Sequence, residues 1–151
     1  MSKSNNMIDL ADMDTGAASD KGAEIELRHP TTHAKLGMFI TVLGKDSEVF
    51  REHTKHRANE RLRREAMADR TGKPLDPPTA EDAEEKAIEL LVLCTTGWRQ
   101  ETDGKSEATL FYKGEHLTFT IANAKRLYAE QLWIRRQVDV AIGDLENFIK
   151  A

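Results

Sequence analysis

The residues of this chain that are equipped for chemistry are few. His53 and His56 stand three apart in a stretch of helical composition, which places both imidazoles on one face, and His29 and His33 bracket a short Pro-containing segment. Either pair offers two ligands to a metal ion. A zinc site takes three or four protein ligands, and neither pair has a third close by. Asp46 and Ser47 set a carboxylate beside a hydroxyl, but a helix begins just after them, and capping of its free amides explains the pair better than nucleophilic chemistry. Glu81, Asp82, Glu84 and Glu85 likewise fall in the first turns of a helix, where the macrodipole favours negative charge. A hard-cation loop would need turning glycines and alternating oxygen ligands that this run lacks. Cys94 follows Leu91-Val92-Leu93 and reads as a buried thiol. The sequence shows no Gly-rich phosphate loop, no nucleophile elbow and no supported Cys-His constellation. It therefore assigns no catalytic, cofactor-binding or metal residue, and Trp98, Trp133 and Phe148 read as core anchors.

Composition bounds what the chain can be. Its 151 residues suffice for one domain with a modest core, and 39% hydrophobic with 32% charged residues is an ordinary water-soluble balance. A net charge of −4 argues against a domain devoted to non-specific nucleic-acid binding. One cysteine excludes an intramolecular disulfide and fits a reducing cytoplasm. No apolar run approaches the roughly 20 residues that cross a bilayer, and the polar start lacks the apolar centre of a secretion signal.

In chain order, residues 1–22 are rich in Ser, Asn, Asp, Gly and Ala and are expected as a flexible arm, because four large apolar side chains do not offset the entropy of ordering it. Residues 23–151 then form a single, mainly helical domain. AEIELR at 23–28 and LGMFITVL at 36–43 read as two antiparallel strands joined by a loop containing Pro30. Asp46 or Ser47 caps a helix from Val49 to about Arg70 that holds seven bases against four acids between Arg51 and Arg70. Its apolar content is thin, so it is either solvated or completed by another chain. Arg57 with Glu60, or Arg61 with Glu65, would form local ion pairs along it. TGKPLDPP at 71–78 breaks this helix, and Thr79 caps the next, which becomes apolar from Ala87, is expected at the centre of the core, and ends at Gly97 as a left-handed cap. Residues 99–109 read as a loop. LFYKGEHLTF reads as a small extended excursion turning at Lys113-Gly114, with Phe111 and Phe119 anchoring it beside Trp98. Thr120 caps a helix from Ile121, and Ile134, Val138, Ala141, Ile142, Leu145, Phe148 and Ile149 recur at helical steps after it.

The expected fold class is α+β, mainly α-helical, with an N-terminal two-stranded β-pair followed by about four helices. Leu91, Leu93, Trp98, Ile134, Val138, Ile142 and Phe148 are expected in one core. Val49, Phe50, Arg57, Leu62 and Met67 are the expected partner-binding residues, because burial on the polar helix is incomplete there, and self-association is a further expectation of the same stripe.

From Gly97 to Phe148 the sequence combines a Trp soon after an apolar helix, a polar excursion, LTFT, Asn123-Ala124, Leu127-Tyr128, WIRRQV and a closing GDLENF. This pattern resembles the C-terminal half of tail assembly chaperones and related small tail proteins of long-tailed bacteriophages. From Glu24 to Arg64 a strand, a His-Pro turn, a strand ending in Gly-Lys-Asp-Ser and a basic helix are similar to the N-terminal pattern of those proteins. Where they often carry Pro before the WIRRQV-like segment, this chain has Gln131-Leu132, which leaves one bent helix over 121–149 as an alternative to two. The resemblance implies a non-enzymatic assembly factor without cofactor, working in the host cytoplasm, that binds the tape measure protein while tail tube protein polymerises around it. It also implies a longer frameshifted form in some members, of which this chain would be the short one. Two other readings stand beside it: a structural virion protein such as a tail-completion or head-tail connector component, and a small nucleic-acid-binding regulator using the Arg-rich helix.

Overall fold

A computed structural model describes residues 7–149. A 3-10 turn at Leu10–Met13 and helix α1 (Thr15–Lys21) lead into strands β1 (Ala23–Arg28) and β2 (Lys35–Val42). Helices α2 (Glu48–Thr71) and α3 (Ala80–Leu93) follow, then strands β3 (Thr95–Thr102), β4 (Lys105–Glu107), β5 (Thr109–Tyr112) and β6 (Glu115–Thr118). Helices α4 (Ile121–Glu130) and α5 (Leu132–Gly143) and a last 3-10 turn, Leu145–Asn147, complete the chain.

The expected fold class is overturned. Strands are spread through the sequence rather than confined to an N-terminal pair: an antiparallel sheet runs in the order β1-β2-β3-β4, and β5-β6 forms a second, separate hairpin. Strands β3 and β4 occupy Thr95–Glu107, most of which reads as a polar loop from its composition. That polarity follows from alternation, because β3 buries one side only. Trp98 lies in register with Ile40, itself opposite Ile25, and this row faces the core. The next row, Glu26-Phe39-Arg99, faces water, so half of the strand is necessarily polar. There the Arg99 guanidinium lies 4.1 Å from the Phe39 ring centre and bonds both carboxylate oxygens of Glu24 at 2.7 Å. That hydrogen bonding holds the Glu24 carboxyl below its usual range. Two-residue turns with positive φ at both positions close the hairpins, Asp103-Gly104 between β3 and β4 and Lys113-Gly114 between β5 and β6.

Gly97 is correspondingly not a helix cap. It pairs with Thr41 inside β3, and α3 ends three residues earlier at Cys94, whose N–H donates to the Leu90 carbonyl. Nor does α3 lie at the centre of the core. Ile88, Leu91 and Val92 are buried while Leu93 is 48% exposed, so it packs by one face. Leu91, Trp98, Ile134, Val138 and Ile142 share one cluster with Leu27, Ile40, Val42 and Leu127, and Phe148 packs half-buried against it. Trp98 donates its indole N–H to the Leu117 carbonyl at 2.9 Å and meets Phe119 edge-on, which ties the four-stranded sheet to the β5-β6 hairpin. Phe111 is 50% exposed and tilts against His116; Leu110 takes the buried place.

The C-terminal third forms two helices rather than one bent helix. Thr120 caps α4 by accepting from the Asn123 amide, and Gln131 is extended between α4 and α5. Gln131 is held there by its side chain, which donates to the Tyr112 hydroxyl and accepts from the Trp133 indole. The inner face of α5 carries Ile134, Val138, Ala141 and Ile142, all buried; the helix ends at Gly143, before Leu145 and Phe148. Gln137 completes the edge of β1, accepting from the Arg28 N–H and donating to its carbonyl at 2.9 and 2.8 Å, as a neighbouring strand would.

Of the stretch expected as a flexible arm, residues 1–6 lie outside the described residues, and Met7, Ile8, Leu10 and Met13 are exposed. Residues 14–22 differ. Asp14 caps α1, Thr15 donates to the Asp46 carboxylate, and the Glu48 N–H donates to Asp20 at 2.7 Å. Ser19 is fully buried, and its carbonyl accepts from the Gly44 N–H at 3.1 Å. A side chain at Gly44 would collide with Ser19 and the Phe148 ring, so the missing Cβ is what lets α1 seat. Capping and backbone bonds, rather than apolar bulk, order this segment.

Candidate protein-binding surface

The side chains suspected of chemistry are absorbed into structure. Ser47 is buried and accepts from the Phe50 amide at 3.2 Å, which makes it the N-cap of α2. Asp46 receives the Thr15 hydroxyl. His53 is half-buried with its Nε2 unpartnered among the described residues, while His56 is turned to Glu60 at 3.6 Å. The Nδ1 of His29 accepts from the amides of Thr31 and Thr32, organising the β1-β2 loop. Among the described residues no group of three or more His, Cys, Asp or Glu side chains is placed to hold a metal ion. Cys94 is fully buried, and burial pushes its thiol up to about 11. Of the aromatic anchors, Trp98 is buried and Trp133 and Phe148 are half-buried on the core. No described helix is long and apolar enough to cross a membrane.

What remains is surface, and α2 dominates it. None of its 24 residues, all of them described, is buried. At about 1.5 Å per residue it extends some ~36 Å. Ser47 caps its start, Gly72 in the left-handed region ends it, and the Gly72 N–H donates to the Ala68 carbonyl. Strong helix formers fill its length, and two exposed pairs, His56 with Glu60 and Arg61 with Glu65 at 3.1 Å, support it. The Arg57–Glu60 pair that the spacing suggested is replaced by the first of these.

The five expected partner-binding residues do not share one stripe. Phe50 is half-buried against the core, whereas Arg57, Val49, Leu62 and Met67 are exposed. At 100° per residue, Val49 and Met67 point the same way, Arg57 about 80° from them, and Leu62 about 140° away on the other side. Partial burial runs along one side through Phe50, His53, Glu60, Glu65 and Ala68. The opposite side presents Arg51, Lys55, Ala58, Leu62, Ala66 and Asp69, with Leu62 63% exposed. This outer stripe is basic at its foot, apolar in its middle and acidic at its far end, where Arg70 adjoins Asp69.

Two concavities flank the helical region. Glu65, Ala68, Asp69 and Gly72 of the α2 end meet Lys73, Pro74 and Leu75 of the following loop around a shallow space of about 420 Å³. The second, of about 300 Å³, lies between α3 and α4. Glu81, Glu84, Glu85 and Glu89 form one wall, Ile88 the floor, and Lys125 and Ala129 the other wall. Ile121, one helical turn before Lys125 on α4, is 64% exposed. Glu84 is engaged by Arg135 at 3.0 Å; among the described residues Glu81, Glu85 and Glu89 make no ion pair. The sequence carries this groove as two offset patterns, Glu81-Glu85-Ile88 and Lys125-Ala129, which become one feature only when α3 and α4 pack together. No family model matches the chain, and no curated protein and no solved structure matches it.

Proposed function

We propose that this chain is a non-enzymatic assembly factor that binds a helical segment of another protein. The observation that carries the reading is α2, a 24-residue helix without a buried residue that displays Val49, Leu62 and Met67 to solvent between its charges. Exposed apolar side chains spread over a rigid, charged helix suit the covering of another helix's apolar stripe while the complex stays in solution. In the phage reading the partner is the tape measure protein, whose long apolar helices need cover before tail tube protein encloses them, and the work is done in the host cytoplasm. The chain then turns over no substrate and takes no cofactor.

The test is co-purification of the full chain with a tape measure helical segment, with Leu62→Glu and Met67→Glu as variants. The two positions lie about 140° apart around α2, so formation of a soluble complex weakened at least ~10-fold by one change and little by the other supports the reading and says which side binds. Stoichiometric presence in finished particles would replace it with a structural virion role. Duplex binding that weakens steeply with salt, with no protein complex, would replace it with a nucleic-acid regulator.

A further inference from the structure

We infer that the acidic groove between α3 and α4 is the seat for the outer stripe of α2 from a second copy of this chain. Three observations converge. The groove has an apolar floor at Ile88 and an apolar wall position at Ala129, under a rim of Glu81, Glu85 and Glu89 that is free of ion pairs among the described residues. Up to Ala66 the outer stripe of α2 has the complementary arrangement, Leu62 between Ala58 and Ala66 with Arg51 and Lys55 on the same side, and the one acid of the stripe, Asp69, lies beyond them at the far end. Arg63 and Arg70 flank it, and neither they nor Lys55 make an ion pair among the described residues. Finally, the outer side of α2 has one described tie to the rest of the chain, the Arg51 Nε–H bond to the Asp46 carbonyl at 3.1 Å, and from Lys55 onward nothing has to be displaced for it to dock.

The volume also fits. About 300 Å³ admits about two side chains, such as Leu62 and the aliphatic stem of a neighbouring lysine, with the charged heads left at the rim. Apolar contact then sets the seat and the glutamates set its register, the division of labour common in helix-in-groove recognition. A contact this narrow belongs to the weak, transient class, with association in the ~10–100 µM range. Lys125 is the one cation among the described lining residues, against four glutamates, and it makes no ion pair with them.

This inference does not rest on the assembly-factor reading, because it concerns the purified chain alone. Sedimentation velocity over a concentration series is expected to show reversible association that weakens as salt rises from 50 to 500 mM, as charge complementarity requires. Glu81→Lys with Glu85→Lys reverses the groove, and Arg51→Glu with Lys55→Glu reverses the stripe; each variant alone should associate at least ~10-fold more weakly. Mixed in equal amounts they should associate again, since each supplies the charge the other lacks. All four positions are exposed, and an unchanged far-UV spectrum and melting curve would show that folding is intact. Copies carrying Leu62→Cys and Ala129→Cys should in addition form a mixed disulfide on oxidation; the native Cys94 is buried. A monomer at every concentration and salt, or a mixture that stays monomeric, overturns the inference. Binding of a tape measure segment by a strictly monomeric chain would overturn it while leaving the proposed function standing.

Discussion

The body of the molecule and its long helix α2 are stabilised in opposite ways. In the body, Leu27, Ile40, Val42, Leu127, Val138 and Ile142 are almost wholly removed from water, and β1, β2, β3, α3, α4 and α5 all contribute to one cluster. In α2 no residue is buried, and the helix stands on an N-cap, a left-handed C-cap, helix-forming residues and two surface pairs. Burial of apolar area is cooperative across the chain, whereas caps and propensity act only where they are. Apart from the side through Phe50 and His53 that rests on the body, α2 is held by local terms, which makes it a display element. The side chains on its outer side are free for a partner because the fold does not bury them.

The contrast is sharpest at Trp98. Removing the indole with Trp98→Ala empties a core site, cuts the bond to the Leu117 carbonyl and frees Phe119 from its edge contact. The expected loss is about 3–5 kcal/mol, or a melting temperature lower by roughly 10 °C. Leu62→Ala on α2 should move stability by less than about 0.5 kcal/mol. Calorimetry of the two variants checks this. Equal losses would mean that α2 is part of the cooperative core and would dissolve the distinction.

How much of this division is legible in the sequence depends on where each residue's information lies. Ser47, Thr79 and Thr120 were readable as caps because capping is a contact between near neighbours. The alternation in AEIELR and the stripe from Ile134 to Ile142 were readable for the same reason. Strand β3 was not, because Arg99 and Glu101 look like loop residues until Glu24 and Phe39 are beside them; the Asp103-Gly104 turn was the local sign of a hairpin. The thin apolar content of α2 was plain in the sequence. That Val49, Phe50, Arg57, Leu62 and Met67 fall on different sides follows from their spacing, but which side faces out depends on where Phe50 and His53 dock. The α3-α4 groove is a tertiary feature, and no window of sequence contains both walls.

A titration separates the two regions by their ionisable groups. The buried Cys94 thiol is pushed up to about 11 by burial, and burial also raises the Tyr128 phenol, which shares a 2.7 Å hydrogen bond with Thr95. The unfolded chain ionises a thiol near its ordinary 9.0, while the native state keeps the proton. Stability is therefore fully present below about 9 and falls as pH rises toward about 11. Glu24 has the opposite sign: its depressed value adds stability at neutral pH that is lost as pH falls through the carboxylate range. Because that carboxylate is partly exposed, the acid-side change should be the smaller. Melting temperatures between pH 4 and 11 check both slopes, and Cys94→Ala should flatten the alkaline one. An alkaline slope unchanged by that substitution would assign it to the other raised groups, Tyr128 and the Glu130-paired Lys113.

A glycine in the middle of α2 should have an effect confined to one element. Ala58 lies mid-helix and is exposed, so Ala58→Gly removes no packing and acts only through helix propensity, at about 1 kcal/mol. If the outer turns of α2 open independently of the body, that loss is confined to them. Amide exchange between residues 54 and 71 should quicken by roughly 5-fold, following from about 1 kcal/mol, while exchange in β2 and α5 and the global melting temperature stay where they were. A cooperative α2 would instead pass the same loss to the whole molecule and lower the melting temperature by about 2–4 °C. The two outcomes differ in where the change appears, so the measurement is decisive even though the perturbation is small. Adding a partner that seats α2 should move the system from the first behaviour to the second, because a docked helix shares the stability of the surface that holds it.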